Sequence, residues 1–325
     1  MTPALADANN GNWQTARRWA ALLAPAYRVR LAARWVAGDE PADAMLALHA
    51  RRSAESVAAW RDAHPGAPLI VTLTGTDLYR DIATDAQAQR SLELADALVV
   101  LNALGALQLP PALRDRCHVV LQSCSRRQRR ADKPARWLRA VAVGHLRQEK
   151  DPRTLFEAVR RLGGRADIRI DHIGRALDAQ LGAQAQALAE VAPGYRWLGG
   201  LPHAQARARI QAAHVLVHPS RMEGGAHVVI EALRSGTPVL ASRIEGNVGL
   251  LGAGYDGYFE PGDAAGLAER LVQLREEPDM LATLQRQVEP LVARFDPAAE
   301  AAALRAVLDP LLARPARKPP ERTPT

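Results

Sequence analysis

Apolar and polar residues alternate in blocks along this chain, with short apolar runs separated by longer stretches of helical spacing. In the first third, the apolar runs predict strands at 27–33, 44–48, 68–73, 97–101 and 118–121. Runs that are apolar on both faces are typical of parallel strands covered by helices. The pattern therefore predicts an α/β protein built on parallel sheets.

The same alternation restarts after a charged, proline-containing break at 132–136. A chain of 325 residues is longer than most single cores, which favours two domains. We predict domains at 1–134 and 135–296, a helix at 297–313 and a disordered tail at 314–325. Asp151 is predicted to cap the helix at 151–162. The opening strand within 1–8 is either minimal or incomplete in the given sequence.

Composition indicates which partners the protein can bind and in which compartment it is expected. The net charge of +7 favours anionic partners, and the basic cluster at 126–136 is interpreted as a solvated connector. Aromatic residues make up 4% and no aromatic-basic motif accompanies the cluster, so nucleic-acid binding is not expected. No apolar run approaches the roughly 20 residues that span a bilayer. Two cysteines and no signal-peptide pattern favour a cytoplasmic protein. The oligomeric state stays open.

The most informative stretch is 215–241. Glu223 and Glu231 stand eight positions apart, with Gly224 and Gly225 between them and an apolar run after them. The spacing predicts a strand, a glycine turn, a helix and a return strand. Free amides at such a helix start suit a phosphate. Glu231 is then placed to accept hydrogen bonds from a ribose diol, and Glu223 from sugar hydroxyls. The competing interpretation is a surface helix with two solvated glutamates.

A second glycine turn, at 144–152, offers cations. Gly144 ends a predicted strand, and Arg147 and Lys150 follow where they can contact two phosphate oxygens. Fixed cations stabilise a leaving diphosphate without a metal. No Asp-x-Asp pair or His/Cys cluster has metal-ligand spacing, so no cofactor or metal is expected. An ordinary solvated loop is the alternative.

The first domain is expected to hold the acceptor in anion-friendly turns. The candidates are the polar and glycine residues before and at the first predicted helix, together with basic residues after the second strand. They are Asn10, Gly11, Asn12, His49, Arg51 and Arg52, with Arg80 and the Gln122–Ser123 turn as further contributors.

These motifs together resemble family 4 glycosyltransferases, which have the GT-B fold. The order Pro219-Ser220, Glu223-Gly224-Gly225, Glu231-Ala232-Leu233 and Ser235-Gly236-Thr237-Pro238 carries the resemblance. It implies two Rossmann-like, doubly wound domains facing a cleft, with the last helix crossing back to the first domain. It also implies further donor contacts, from His145, Gly174, Arg175, Gly199 and Asn247. The family commonly has an arginine where this chain has His145.

The resemblance also covers the turn after the buried strand at 69–73. Family members often read His-Gly-Thr-Asp there, and this chain reads Thr74-Gly75-Thr76-Asp77. The four residues are expected to contact the acceptor side of the site. A role that needs an imidazole at Thr74 is in doubt.

Four segments, at 6–16, 48–53, 73–79 and 144–152, are similar to the selenosugar synthases of bacterial selenoneine biosynthesis. That resemblance implies a UDP-sugar donor, UDP-N-acetylglucosamine, and selenophosphate as the nucleophile. The alternatives are a family 4 transferase with an alcohol acceptor and, as a third choice, a nucleotide-sugar epimerase.

Overall fold

The computed structural model describes residues 1–3 and 11–314. The chain divides into two compact units, Met1–Gln122 with Pro297–Thr325, and Ser123–Asp296. The boundary therefore differs from the predicted one at residue 134. Asn10, and the predicted tail after Arg314, lie outside the described residues.

The connector at 123–134 belongs to the second unit because its backbone is bound there. The Arg127 N–H donates to the Arg234 carbonyl at 2.9 Å. The Gln211 amide donates to the Gln128 carbonyl at 2.7 Å. Hydrogen bonds of this kind cannot be read from a break in composition.

The first unit contains a four-stranded parallel sheet in the order β1-β2-β3-β4. The strands are β1 Met45–Leu48, β2 Leu69–Leu73, β3 Ala97–Val100 and β4 Cys117–Val119. The helices are α1 Gly11–Leu23, α2 Ala54–Ala63, α3 Ile82–Thr84 and α4 Ala86–Leu94, with a π-helical turn at Asp77–Asp81 and 3₁₀ segments at Gly105–Gln108 and Pro111–Arg116. The four predicted strands from 44 to 121 are thus confirmed within a few residues.

The predicted strand at 27–33 is wrong. Its apolar alternation is real, but within residues 1–3 and 11–314 the segment belongs to neither sheet, and Arg28 and Arg30 pair with Glu40. A backbone hydrogen bond joins it to the amino terminus, in which the Thr2 N–H donates to the Ala32 carbonyl at 3.0 Å. Beside β1 lies Met1, whose amine donates to the Leu46 carbonyl at 2.8 Å. The Leu48 N–H returns a bond to the Met1 carbonyl at 3.1 Å.

The second unit contains a six-stranded parallel sheet in the order β10-β9-β8-β5-β6-β7. The strands are β5 Leu138–Val143, β6 Ile168–Ile173, β7 Tyr195–Trp197, β8 Val215–His218, β9 Val239–Ser242 and β10 Tyr258–Phe259. The helices are α5 Pro152–Arg161, α6 Ala179–Val191, α7 His203–Ala212, α8 His227–Leu233, α9 Glu245–Leu251, α10 Ala264–Glu276 and α11 Pro278–Val288, with 3₁₀ segments at Gln148–Lys150 and Glu289–Phe295. The chain reverses its direction of strand addition between β5 and β8, and such switch points are where open α/β sheets bind ligands.

The last helix, α12 Pro297–Leu312, is part of the first unit and packs on α1. Leu304, Leu308 and Leu311 join Trp19 in a buried cluster over one face of the sheet. No helix within residues 1–3 and 11–314 is both long and apolar enough to span a bilayer.

A buried ion pair connects α12 to α1. The Glu300 carboxylate is fully buried, and the Arg18 Nε donates to its two oxygens at 3.1 and 2.9 Å. The Trp19 indole N–H donates to the same carboxylate at 2.6 Å. A buried charge needs such partners because desolvation is costly.

We expect Glu300→Ala to destabilise the first unit by about 3 to 5 kcal/mol, because it leaves the Arg18 charge and the Trp19 donor without their acceptor. Glu93→Ala is the matched control, since Glu93 forms an exposed pair with Arg90, and it should cost at most about 1 kcal/mol. Urea unfolding measures both. Equal midpoints for the two variants would contradict the assignment.

A second buried titratable group lies within the second unit's sheet. His172 on β6 is 5% exposed, contacts the Tyr195 hydroxyl through Nδ1 at 2.9 Å and packs against Phe156. Burial without a charged partner lowers the pKa of His172 to about 4. The imidazole is therefore neutral in the folded protein at physiological pH.

This shift predicts acid sensitivity. Between pH 6.5 and about 4 the unfolded chain binds a proton at His172 that the folded chain does not, so stability is full above 6.5 and falls as the pH drops. The loss from this residue is about 3 kcal/mol. His214, whose pKa burial also lowers to about 4, adds to the slope. His172→Asn should make the pH dependence of the unfolding free energy shallower over this window, and an unchanged slope would refute it.

Candidate functional site

The glycine turns at the carboxyl ends of β5 and β8 lie together at the switch point of the second sheet. The turn after β5 runs from Gly144 to Asp151, and the turn after β8 from Pro219 to Ala226. A cavity between them is lined by Gly144, His145, Lys150, His172, His218 and Ser220, among others. Two segments that are 75 residues apart in sequence therefore form one site.

A buried ion pair joins the two turns. The Lys150 amine lies 2.5 Å from Glu223 Oε1, and their side chains are 21% and 9% exposed. His218 Nε2 lies 3.1 Å from the same oxygen. Burial favours the neutral carboxyl, but the Lys150 charge and the His218 contacts outweigh it and hold the pKa of Glu223 well below its usual range. The site thus contains a charged carboxylate and a charged amine in contact.

A second pair reinforces this contact. Asp151 is predicted to cap α5, but it adopts a left-handed conformation at φ 44° and makes no capping bond. Its carboxylate accepts from Thr154 Oγ1 at 2.7 Å and from Arg221 Nε at 2.8 Å. The Arg221 N–H also donates to the Glu149 carbonyl at 2.9 Å. The Asp151 side chain therefore fixes the position of one turn on the other instead of the helix start.

The start of α9 packs directly on this site. A Cβ atom at Gly246 would lie 2.0 Å from the Glu223 carbonyl oxygen, so only glycine permits the approach. Asn247, predicted to bind the donor, is fully buried, and its amide donates to the Ser242 carbonyl at 2.9 Å. The segment forms a helix and not an open loop. The Asn247 amide nitrogen faces the interior, and a donor contact through this residue stays a prediction.

Three predicted glycines line up at the ends of adjacent strands. The Gly144 N–H donates to the Ile173 carbonyl at 2.9 Å, and the Gly174 N–H donates to the Gly199 carbonyl at 2.8 Å. A Cβ at Gly174 would lie 1.8 Å from the Gly144 oxygen. These glycines let the strand ends approach closely.

The other predicted basic residues near Gly144 are not in contact with Glu223. His145, at the family's arginine position, accepts the Arg175 N–H through Nδ1 at 3.2 Å. Burial and the charges of Arg175, Arg147 and Lys150 lower its pKa, which favours a neutral imidazole. Arg147 is exposed and lies 3.9 Å from Glu149, and Arg175 is exposed as well. Of these candidates, Lys150 alone is in contact with Glu223.

Glu231 lies one helical turn into α8 and is buried. Sequence reasoning identified this carboxylate but missed the basic residues that surround it, namely His203 and Arg207 on α7 and His227 on α8. His227 is four residues before Glu231 on one helix, a spacing that predicts contact. For His203 and Arg207 no sequence spacing predicts the contact, because they lie on α7, which is next to α8 only in the folded structure. Gly224 and Gly225 link Glu223 to the start of α8.

In the first unit, the Thr74–Asp77 turn is organised by a fully buried carboxylate. Asp77 accepts the N–H groups of Thr74, Gly75 and Ala50, each at 2.9 Å. Its side chain therefore supports the turns after β1 and β2 and is not exposed for an acceptor, which corrects the prediction for Asp77. Thr74 and Thr76 are half-buried.

His49 is likewise buried, at 2% exposure, with a positive φ of 72°. Its Nε2 contacts Thr76 Oγ1 at 3.0 Å, and Nδ1 accepts the Arg52 N–H at 3.4 Å. Desolvation by burial lowers the pKa of His49. His49 thus braces the two turns and does not contact solvent, contrary to the prediction of an acceptor contact.

The exposed candidates of this unit are Arg51, Arg52, Arg80 and Gly11. Arg51 lies 3.2 Å from Asp81, which offsets part of its charge. Asn12 is half-buried at the start of α1. The Gln122 amide donates to Thr15 Oγ1 at 2.7 Å, so it supports α1.

The chain is similar to known proteins in sequence and in fold. Residues 127–289 match the family model of glycosyl transferases group 1. A phosphatidyl-myo-inositol mannosyltransferase of Mycobacterium leprae is 36% identical over 110 residues, which are 33% of this chain and 29% of the mannosyltransferase.

Solved structures agree on the fold. Sucrose-phosphate synthase from Thermosynechococcus elongatus superposes with a TM-score of 0.69 at 20% identity, covering 83% of this chain and 74% of that one. S. aureus TarM, solved with UDP and alpha-GlcNAc-glycerol, superposes at 0.66 and 13% identity, over 83% of this chain. The chain spans 55% of the length of TarM. The two parallel sheets and these neighbours identify the GT-B fold, and the chain belongs to the family of glycosyl transferases group 1.

Proposed function

We propose that this protein is a glycosyltransferase that moves N-acetylglucosamine from a UDP-sugar to selenophosphate, forming a carbon–selenium bond. The bond between the anomeric carbon and the diphosphate oxygen breaks, and UDP leaves with the electron pair. Selenium forms the new bond to that carbon. Hydrolysis of the selenium–phosphorus bond then releases phosphate and the 1-seleno sugar.

The contact between Lys150 and Glu223 at the switch point carries the donor half of the proposal. It places a fixed cation beside the glycine turns after β5 and β8, where the Lys150 amine can contact a diphosphate. Glu231 provides a charged carboxylate for the ribose diol. The UDP bound to TarM, a protein of the same fold, is consistent with such a donor.

Lys150 is the proposed catalytic residue for leaving-group departure. Negative charge on the diphosphate grows as the sugar bond breaks, and a positioned ammonium stabilises this charge more in the transition state than in the ground state. Glu223 holds the amine in place at 2.5 Å. Arg147 is exposed and can supply a second contact to the phosphates. We propose that no metal is needed, because these cations supply the positive charge.

The acceptor half rests on the sequence similarity to selenosugar synthases and on the charge of the first unit's turns. Arg51, Arg52 and Gly11 are exposed, and the backbone of the Thr74–Thr76 turn is held rigid by Asp77. A small, highly charged anion suits such a turn. Selenium is a strong nucleophile and needs less help from a general base than a hydroxyl does, which agrees with Thr74 in place of histidine.

An alcohol acceptor is the second candidate. The 36% identity to a phosphatidyl-myo-inositol mannosyltransferase favours it, although the match covers 33% of this chain. The donor site described above would serve either reaction. The two candidates differ only in the nucleophile.

The decisive experiment incubates the protein with UDP-N-acetylglucosamine and selenophosphate, with inorganic phosphate as the matched control, in the presence of EDTA. Mass spectrometry should find a selenium-containing hexosamine and UDP.

Other outcomes would contradict the proposal. If UDP is released only with phosphatidyl-myo-inositol or another alcohol, the acceptor is an alcohol and not selenophosphate. A changed sugar without any acceptor would indicate an epimerase. Loss of activity in EDTA, restored by manganese, would refute metal independence.

Lys150→Ala should lower kcat by about 10²- to 10³-fold with a smaller change in KM for the donor, because the lost charge acts mainly in the transition state. Arg153→Ala is the matched control, since Arg153 is exposed on α5, and its kcat should not change. Thermal melting verifies that each variant is folded. A Lys150→Ala enzyme as fast as the parent would remove Lys150 from the mechanism.

A further inference from the structure

Three basic side chains converge on one oxygen of the buried Glu231 carboxylate. His203 Nε2 lies 2.5 Å from Oε1, His227 Nδ1 3.4 Å and Arg207 Nη1 4.0 Å. The Glu231 side chain is 5% exposed. His203 forms a hydrogen bond to this oxygen, and the other two side chains lie at ion-pair distance from it. A single close partner would already compensate the charge of the carboxylate, so the arrangement exceeds what charge compensation requires.

The three residues come from two helices, and two of them are held in place by backbone carbonyls. His203 and Arg207 are one turn apart on α7, and His227 is the first residue of α8. Arg207 is 3% exposed, and its Nη2 donates to the Ser125 carbonyl at 3.0 Å. His227 Nε2 lies 3.1 Å from the Ser123 carbonyl. Arg207 and His227 are therefore tied to the connector and cannot turn away from Glu231.

The carboxylate stays charged despite its burial. Burial favours the neutral form, but the hydrogen bonds and charges of His203 and His227 outweigh it and lower the pKa of Glu231 to about 2. Oε1 is the carboxylate oxygen nearest to all three basic groups. None of the three donates a hydrogen bond to the second oxygen, Oε2.

We infer that His203, Arg207 and His227 are positioning residues, which occupy Oε1 so that Oε2 is presented to the vicinal diol of the donor's ribose. This inference rests on the proposed function, because it requires a nucleotide sugar at this site. A carboxylate fixed in this way selects ribonucleotides. Donors built on a 2′-deoxynucleotide lose one hydrogen bond to a charged group and leave part of a buried carboxylate unsatisfied.

The test is a comparison of UDP and 2′-deoxy-UDP by titration calorimetry. The wild-type protein should bind UDP about 10- to 100-fold more tightly, the range for a hydrogen bond to a charged group. His203→Leu removes the closest donor and should bring the ratio of the two Kd values toward one. His203→Gln keeps an N–H of similar reach and should retain most of the ratio. His203 is 62% exposed, so both variants are expected to fold.

His118→Leu is the matched control, because His118 is exposed on β4 of the other unit, and its ratio should equal that of wild type. A His203→Leu variant that weakens both nucleotides equally, or that keeps the wild-type ratio, would overturn the positioning role while the donor site stands. A wild type that binds both nucleotides equally would also overturn it. If UDP does not bind wild type at all, the proposed function fails first.

Discussion

The contact between Lys150 and Glu223 is the interaction on which the arrangement of the second unit's site depends. It joins the turns after β5 and β8 across the switch point, and the Asp151–Arg221 pair supports it from the side. Buried ion pairs of this kind add little net stability, since desolvation offsets their attraction. Their value here is geometric, because they fix the position of the Lys150 amine between the two turns.

This geometry also explains why glycine recurs around the site. Gly174 lies against the Gly144 backbone, and Gly246 lies against the Glu223 carbonyl. A side chain at either position would separate the elements that the ion pairs hold together. The charged contacts and the missing side chains are therefore two parts of one packing arrangement.

Much of the second unit's site could be predicted from the sequence, because most of its residues directly follow predicted strands. Glu223, Lys150 and the glycine turns follow apolar strands, and parallel strands place their carboxyl ends at one edge of the sheet. The fold and the pairing of these turns follow from that rule. His203 could not be found in this way, because it meets Glu231 across 28 residues and two helices. Asp77 was misjudged because polar residues in turns bind backbone groups as readily as ligands.

The discontinuity of the first unit has a consequence for synthesis on the ribosome. Residues 123–296 form a continuous unit, so all of its strands have emerged before the chain reaches Pro297. The first unit must wait for α12, since Trp19 and Arg18 have their partner in Glu300 and their apolar cover in Leu304 and Leu308. The nascent chain is thus expected to complete its later-made unit before its earlier-made one, the reverse of the usual vectorial order.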